Sequence, residues 1–316
     1  MGKKELVRVG QLDLVQELAR PVTRAQQKLL MTSVEITQAP DAVELAFLAR
    51  ELVHCTLPHS DPGDVPVWTR TNGDLTLVIG RNSVDKALRL IGYPYGSIPR
   101  LLLFWMNTEA VRTSKRRLEL SDTFAGFIRE LGMDARSGGP RGSYRRVREQ
   151  MTRLFSSAIT FQRHTEINGI ERDKRVNMNV TAESELWWDP KRPDQIALWG
   201  SWIELGEKFF AAITAAPVPT DLRALRALKQ SPLALDLYVW ASHKAYTAAM
   251  KGKSQSVPWI SLQRQFGGDY KQTRQFKQKA IAALKKIQTV YPGLNLQDAP
   301  GGITVLASSL PAVPTK

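Results

Sequence analysis

The segment beyond residue 259 constrains this chain most. Phe276, Ala280, Ala283, Leu284 and Ile287 recur at three- and four-residue spacing, which lays one apolar stripe along a helix of 3.6 residues per turn. The stripe has definite ends. Gly267-Gly268 precede it and Pro292 follows it; glycine closes a short helix over residues 260–266, and proline cannot continue the helix predicted over residues 270–290. Further on, residues 294–297 and 303–306 read as two short strands joined by Asp298-Ala299-Pro300-Gly301-Gly302. Short helix, glycine turn, amphipathic helix, hairpin is the order of a winged helix.

At roughly 100° per residue, the face opposite the stripe collects Lys271, Arg274, Gln275, Gln278, Ala282 and Lys285. Arg or Lys can address guanine O6 and N7, and Gln can pair with adenine N6 and N7. Lys277, Lys279 and Lys286 flank that face and are placed to meet phosphates, which position a protein on DNA without specifying sequence. Arg264, on the short helix before the turn, is a candidate backbone contact, and the helix N-terminus itself favours phosphate. The charge distribution agrees. Residues 217–316 hold fourteen bases and four acids, so +10 of the chain's net +14 lies in its last third. A unit so one-sided repels itself unless a polyanion is part of its working state.

The rest of the 316 residues divides by its breakers. Residues 1–40 read as a loosely ordered arm. Residues 42–53 carry apolar positions at helical spacing, and residues 57–67 are loop. Asn72-Gly73 between two strand-like runs, 68–71 and 75–79, signals a hairpin whose turn needs positive φ. Helices are expected at 98–113, 123–131 and 143–155, with strands at 117–120, 158–167, 175–186 and 196–205 and a further helix at 203–210. Residues 214–220, with Pro217 and Pro219, read as a linker. Helices at 221–228 and 232–250 and a polar loop at 251–258 lead into the segment described first. Residues 308–316 have no core and read as a disordered tail. The expected domains are therefore the arm 1–40, a first domain 41–216, a second 217–306 and the tail 307–316.

The first domain repeats the plan more faintly. Its helix 143–155 turns Val147, Met151, Leu154 and Phe155 inward and Arg145, Arg146 and Arg153 outward, with Arg141 in the approach loop and strands after it. The expected fold class is α+β with tandem winged-helix domains, the first making DNA-backbone and protein contacts and the second reading a major groove.

Residues 92–106 (GYPYGSIPRLLLFWM), Thr113-Ser-Lys-Arg-Arg-Leu-Glu-Leu120, Phe124-Ala-Gly-Phe-Ile-Arg-Glu-Leu-Gly132, Gly138-Gly-Pro-Arg-Gly142 and Arg148-Glu-Gln-Met-Thr-Arg-Leu-Phe155 resemble plasmid-encoded RepA replication initiators. The resemblance spans residues 57–210. It implies tandem winged helices that bind directly repeated sites, iterons, at a plasmid origin. It implies local melting, recruitment of host DnaA and replicative helicase, and a dimer, made through the first winged helix (residues 41–216), that represses its own promoter or pairs origins.

Other chemistries lack their residues. His54, His59, His164 and His243 include no pair two residues apart, as a DNA-nicking initiator's metal site needs, and His54-Cys55-x3-His59 is not a usual zinc spacing. Gly252-Lys253-Ser254 resembles the end of a P-loop, but Thr247 stands where its first glycine belongs. No hydrolase elbow or triad is present. No catalysis, cofactor or metal is expected. The longest run of large apolar residues, 101–106, falls far short of the roughly 20 that cross a bilayer. The N-terminal residues show no secretory pattern, and Leu6 stands where myristoylation wants Ser or Thr. One cysteine, Cys55, fits a reducing compartment, so the expectation is a cytoplasmic protein without membrane contact. Two alternatives are a winged-helix transcriptional regulator with no replication role, and a structural protein whose basic face meets an acidic protein.

Overall fold

The computed structural model describes residues 22–81, 83–135, 142–187, 200–267 and 270–314. It is α+β. The chain opens with α1 (Arg24–Gln38), β1 (Leu45–Ala49) and α2 (Arg50–His54), followed by the hairpin β2 (Trp68–Asn72) and β3 (Leu75–Arg81). Then come α3 (Ser97–Thr113), β4 (Arg117–Glu119), α4 (Phe124–Glu130) and α5 (Ser143–Phe155). The strands β5 (Ser157–Ile167), β6 (Ile170–Asn179), β7 (Thr181–Glu185) and β8 (Trp202–Leu205) precede α6 (Glu207–Ala215). The last third holds β9 (Pro217–Asp221), α7 (Leu222–Leu228), α8 (Pro232–Lys251), β10 (Gln255–Pro258), α9 (Trp259–Phe266), α10 (Thr273–Val290), β11 (Leu296–Ala299) and β12 (Gly302–Val305).

The sheets are small and antiparallel. β2-β3-β5-β6 form one, β4-β8-β7 a second, and β10-β12-β11 a third. The expected hairpin at Asn72-Gly73 is present, with Gly73 at φ +62°. At the centre lies α3, buried along most of its length and packed against β1, α5, α6 and α8. Its Trp105 indole donates to Glu130 Oε1 at 3.0 Å.

Several expectations are corrected. Residues 42–53 do not form one helix: Leu45–Ala49 is a strand paired with β9, and only Arg50–His54 is helical. Ala and Leu favour a helix locally, but a partner strand in register, Leu45↔Asp221 to Ala49↔Pro217, outweighs that preference. Residues 217–220, read as part of a linker, are that partner strand. Leu222 N–H donates to Glu44 O at 2.8 Å, so even-numbered amides face β1 and odd ones face away. Asp221 N–H accordingly points at the Tyr238 hydroxyl, 3.1 Å off. Pro217 and Pro219 occupy odd positions, where a missing N–H costs the ladder nothing.

Part of the polar loop 251–258 is the strand β10. Within the expected arm, Arg24–Gln38 is helical, started by a capping box between Thr23 and Gln26, and packs on α7 and α10; residues 1–21 lie outside the described residues. The expected tail is pinned at residues 309 and 310: Tyr291 OH donates to Leu310 O at 2.5 Å and Asn295 N–H to Ser309 Oγ at 3.0 Å.

The two halves of the chain also meet in the core. Arg100 on α3 donates through Nε and Nη2 to both oxygens of Asp236 on α8, each at 2.8 Å, and His59 Nε2 lies 2.7 Å from Asp236 Oδ2.

Candidate nucleic-acid interface

The short helix α9 buries Trp259, Leu262, Gln265 and Phe266 and leaves Arg264 in solvent. It is tied to the first half of the chain by Gln265 Nε2, which donates to Val53 O at 2.9 Å. Gly267 ends it. A Cβ at Gly267 would stand 2.6 Å from Phe276 Cδ2 and 3.1 Å from Gln263 O, and Phe276 is fully buried. The glycine therefore lets α10 close over the turn. Gly267→Ala should cost about 1–3 kcal/mol by overpacking, read as a lower urea midpoint; an unchanged midpoint would show that the turn has room. The turn is further held by Thr273, whose hydroxyl donates to Gln263 Oε1, and by Gln263 Nε2, which donates to Tyr270 O at 3.0 Å.

Helix α10 starts at Thr273, three residues later than the expected start. Its buried stripe is Phe276, Ala280, Ala283, Leu284, Ile287 and Val290, so the expected stripe is present and gains Val290. Arg274, Gln275, Gln278, Lys279, Ala282, Lys285 and Lys286 are exposed on the helix, and Lys271 is exposed just before it. Among the described residues, none of Lys271, Arg274, Lys279, Lys285 and Lys286 is held in an ion pair. Lys277 differs. It is half-buried, with its ammonium 5.5 Å from the Trp259 ring centroid, and so packs along α9. The hairpin β11–β12 follows, and β10 completes its sheet. Gly302 allows that closeness, because a Cβ there would meet Val257 O at 2.5 Å.

Sequence reasoning missed a groove of about 530 Å³ between β2 and the start of α10. Arg264 and Lys271 line it together with Arg70 of β2, and among the described residues no acid does. The Arg70 guanidinium lies 5.1 Å from the Trp68 ring centroid. Nothing local in the sequence marks Arg70, since the groove exists only once the β2–β3 hairpin docks on α9.

On α5, Val147, Met151, Leu154 and Phe155 are buried, as the spacing predicts, and Arg145 and Arg146 are exposed. Arg141 lies outside the described residues. Arg153 does not point freely outward. Its guanidinium binds Asp61 Oδ2 at 3.1 Å, Glu149 Oε1 at 2.7 Å and Tyr93 O at 3.1 Å, and lies 5.1 Å from the Tyr95 ring centroid. Residues 61 and 93–95 cover that end of the helix, which a helical wheel cannot register.

The remaining chemistry-bearing side chains are spread out. Burial pushes the Cys55 thiol up to about 11. His54 and His243 pack edge to face with centroids 5.5 Å apart, both held below the usual imidazole range, chiefly by burial. His164 is exposed, 3.5 Å from Asp173. Among the described residues, no helix is long and apolar enough to cross a membrane.

The family model described as plasmid-encoded RepA protein matches residues 93–260. The match starts later and ends later than residues 57–210, and α10 with its hairpin lies beyond it. The curated proteins searched include no match. Two solved structures are similar, both of RctB. One, of selenomethionine derivatives of its domains 2 and 3, has 11% identity, covering 78% of this chain and 93% of that one at TM-score 0.47. The other, of RctB domains 2-3, also has 11% identity and TM-score 0.47, covering 81% and 94%.

Proposed function

The chain belongs to the family of plasmid-encoded RepA proteins, which are replication initiators, and from that premise we propose that it starts replication by binding directly repeated sites at a plasmid origin. The observation that carries this is the outer face of α10, whose Arg, Lys and Gln side chains stand in solvent without ion-pair partners, behind a glycine turn and ahead of a hairpin. In this reading residues 217–306 form a winged helix that lays α10 in a major groove. Arg274, Gln275 and Gln278 meet base edges, with Lys271 and Lys285 on the same face. Lys279, Lys286 and Arg264 meet phosphates, and Arg264 with Lys271 follows one backbone strand along the groove. Lys277 stays at the edge, against Trp259. Residues 41–216 form the first winged helix, with Arg145 and Arg146 on phosphates and a self-contact that makes the dimer.

Binding at neighbouring repeats strains the origin, melts an adjacent region and brings in host DnaA and replicative helicase; the dimer represses its own promoter. The protein acts by binding in the bacterial cytoplasm and performs no catalysis. Footprinting on the origin of its own replicon tests this. Protection of repeats spaced by one or two helical turns supports it. Protection of a lone promoter palindrome, with plasmid copy number unchanged on deletion, would replace it with a transcriptional regulator.

A further inference from the structure

A cleft of about 610 Å³ opens where the second half of α8 meets β9 and residues 311–314. None of the α10 residues assigned to DNA lines it. Its floor is apolar, built from Val218 and Pro219 of β9 and the side chains of Tyr246 and Met250 of α8. Met250 is 68% exposed and Tyr246 44%, which leaves large apolar surface in water inside a concave site.

Its rim is cationic. Arg50 and Lys251 line it, Lys244 lies close by, and among the described residues no acid lines it. Among the described residues, neither Arg50 nor Lys251 is held in an ion pair. His243 also lines the cleft, and its Nδ1 is buried with no hydrogen-bond partner. Glu51 acts electrostatically on His54 nearby. A duplex finds little to hold on an apolar floor. A cleft with greasy walls and cationic edges suits a chain that carries apolar side chains and carboxylates together.

We infer that this cleft docks an acidic amphipathic peptide segment of another protein, with its apolar side chains on Tyr246 and Met250 and its carboxylates on Arg50 and Lys251. The site is separate from the DNA face, so the inference stands or falls apart from the DNA reading.

The test is fluorescence anisotropy of the full chain with a short labelled peptide made of Leu and Glu. Its analogues carry Lys for Glu, or Ser for Leu. The Leu/Glu peptide should bind and both analogues should not. Arg50→Glu combined with Lys251→Glu should weaken binding by about tenfold or more, and Met250→Asp alone should do the same; all three positions are exposed, so the fold should survive. A random-sequence duplex should not displace the peptide. Displacement by the duplex would place the peptide on the basic DNA face and overturn the inference. So would equal binding of the Ser analogue, unchanged binding by both protein variants, or no binding by the Leu/Glu peptide.

Discussion

Asp236→Ala should cost about 3–5 kcal/mol of folding stability, the range for breaking one side of a buried ion pair. Arg100 is 4% exposed and Asp236 7%. Beyond its two bonds to Asp236, the Arg100 guanidinium donates to the carbonyls of Leu57, Pro58 and Gly96 at 2.7 to 3.0 Å. Removing the carboxylate leaves that cation in the core with carbonyls only. Truncating both partners to apolar residues, Arg100→Met with Asp236→Leu, should cost less than Asp236→Ala plus Arg100→Met, because no buried charge is then stranded.

The same cluster sets an acid limit. Burial pushes the Asp236 carboxyl up, but Arg100 and His59 outweigh it and hold it at about 2. Burial holds His59 below the usual imidazole range. Both folded-state values lie below the unfolded ones, so the stability they give is present at neutral pH and lost on acidification. His59 begins to withdraw its share as pH falls below about 6.5, and Asp236 as pH falls from about 4 towards 2. Urea unfolding across pH should show both steps, with the lower one absent in Asp236→Ala. A loss under about 1 kcal/mol for Asp236→Ala would mean the cluster relaxes onto water.

What could be read from the chain depended on the distance over which each signal acts. The α10 stripe, its glycine stop and the Asn72-Gly73 turn are local, and their residues took the expected conformations. Leu45–Ala49 is different, because its strand state depends on Pro217–Asp221, about 170 residues away, and nothing within a helical window reports that partner. The same distance explains why Pro217 and Pro219 looked like a break: their compatibility with a sheet follows from which amides face β1. Asp236 and Arg100 lie 136 residues apart, so neither spacing nor composition marked the buried pair. At the interface the division repeats. The outer residues of α10 follow from periodicity alone, whereas Arg153 was withdrawn from solvent by Asp61 and the Tyr93–Tyr95 segment, and Arg70 entered the groove through the docking of a hairpin.

The largest functional effect should come from salt and from separating readers from anchors on α10. If six to ten phosphates are neutralised, affinity for DNA should fall by roughly 10³ to 10⁵ between 50 and 200 mM salt, since each contact releases counterions. Arg274 and Lys286 are both exposed, so replacing either leaves the core intact and tests its proposed DNA contact. Arg274 sits in the first turn of α10, beside Gln275 and Gln278, where base edges are reached first in a helix inserted by its N-terminus. Arg274→Ala should cost about 1–3 kcal/mol on the preferred repeat and much less on random duplex, narrowing the gap between them. Lys286 lies about three turns further along. Lys286→Ala should weaken every duplex by a similar factor and lower the salt slope by about one, the signature of a lost phosphate contact. Gel shifts of both variants on the repeat and on random duplex, across a salt series, separate the two roles. If both variants lose affinity equally on all sequences, α10 follows the backbone instead of entering the groove, and the reading of bases must then pass to another element.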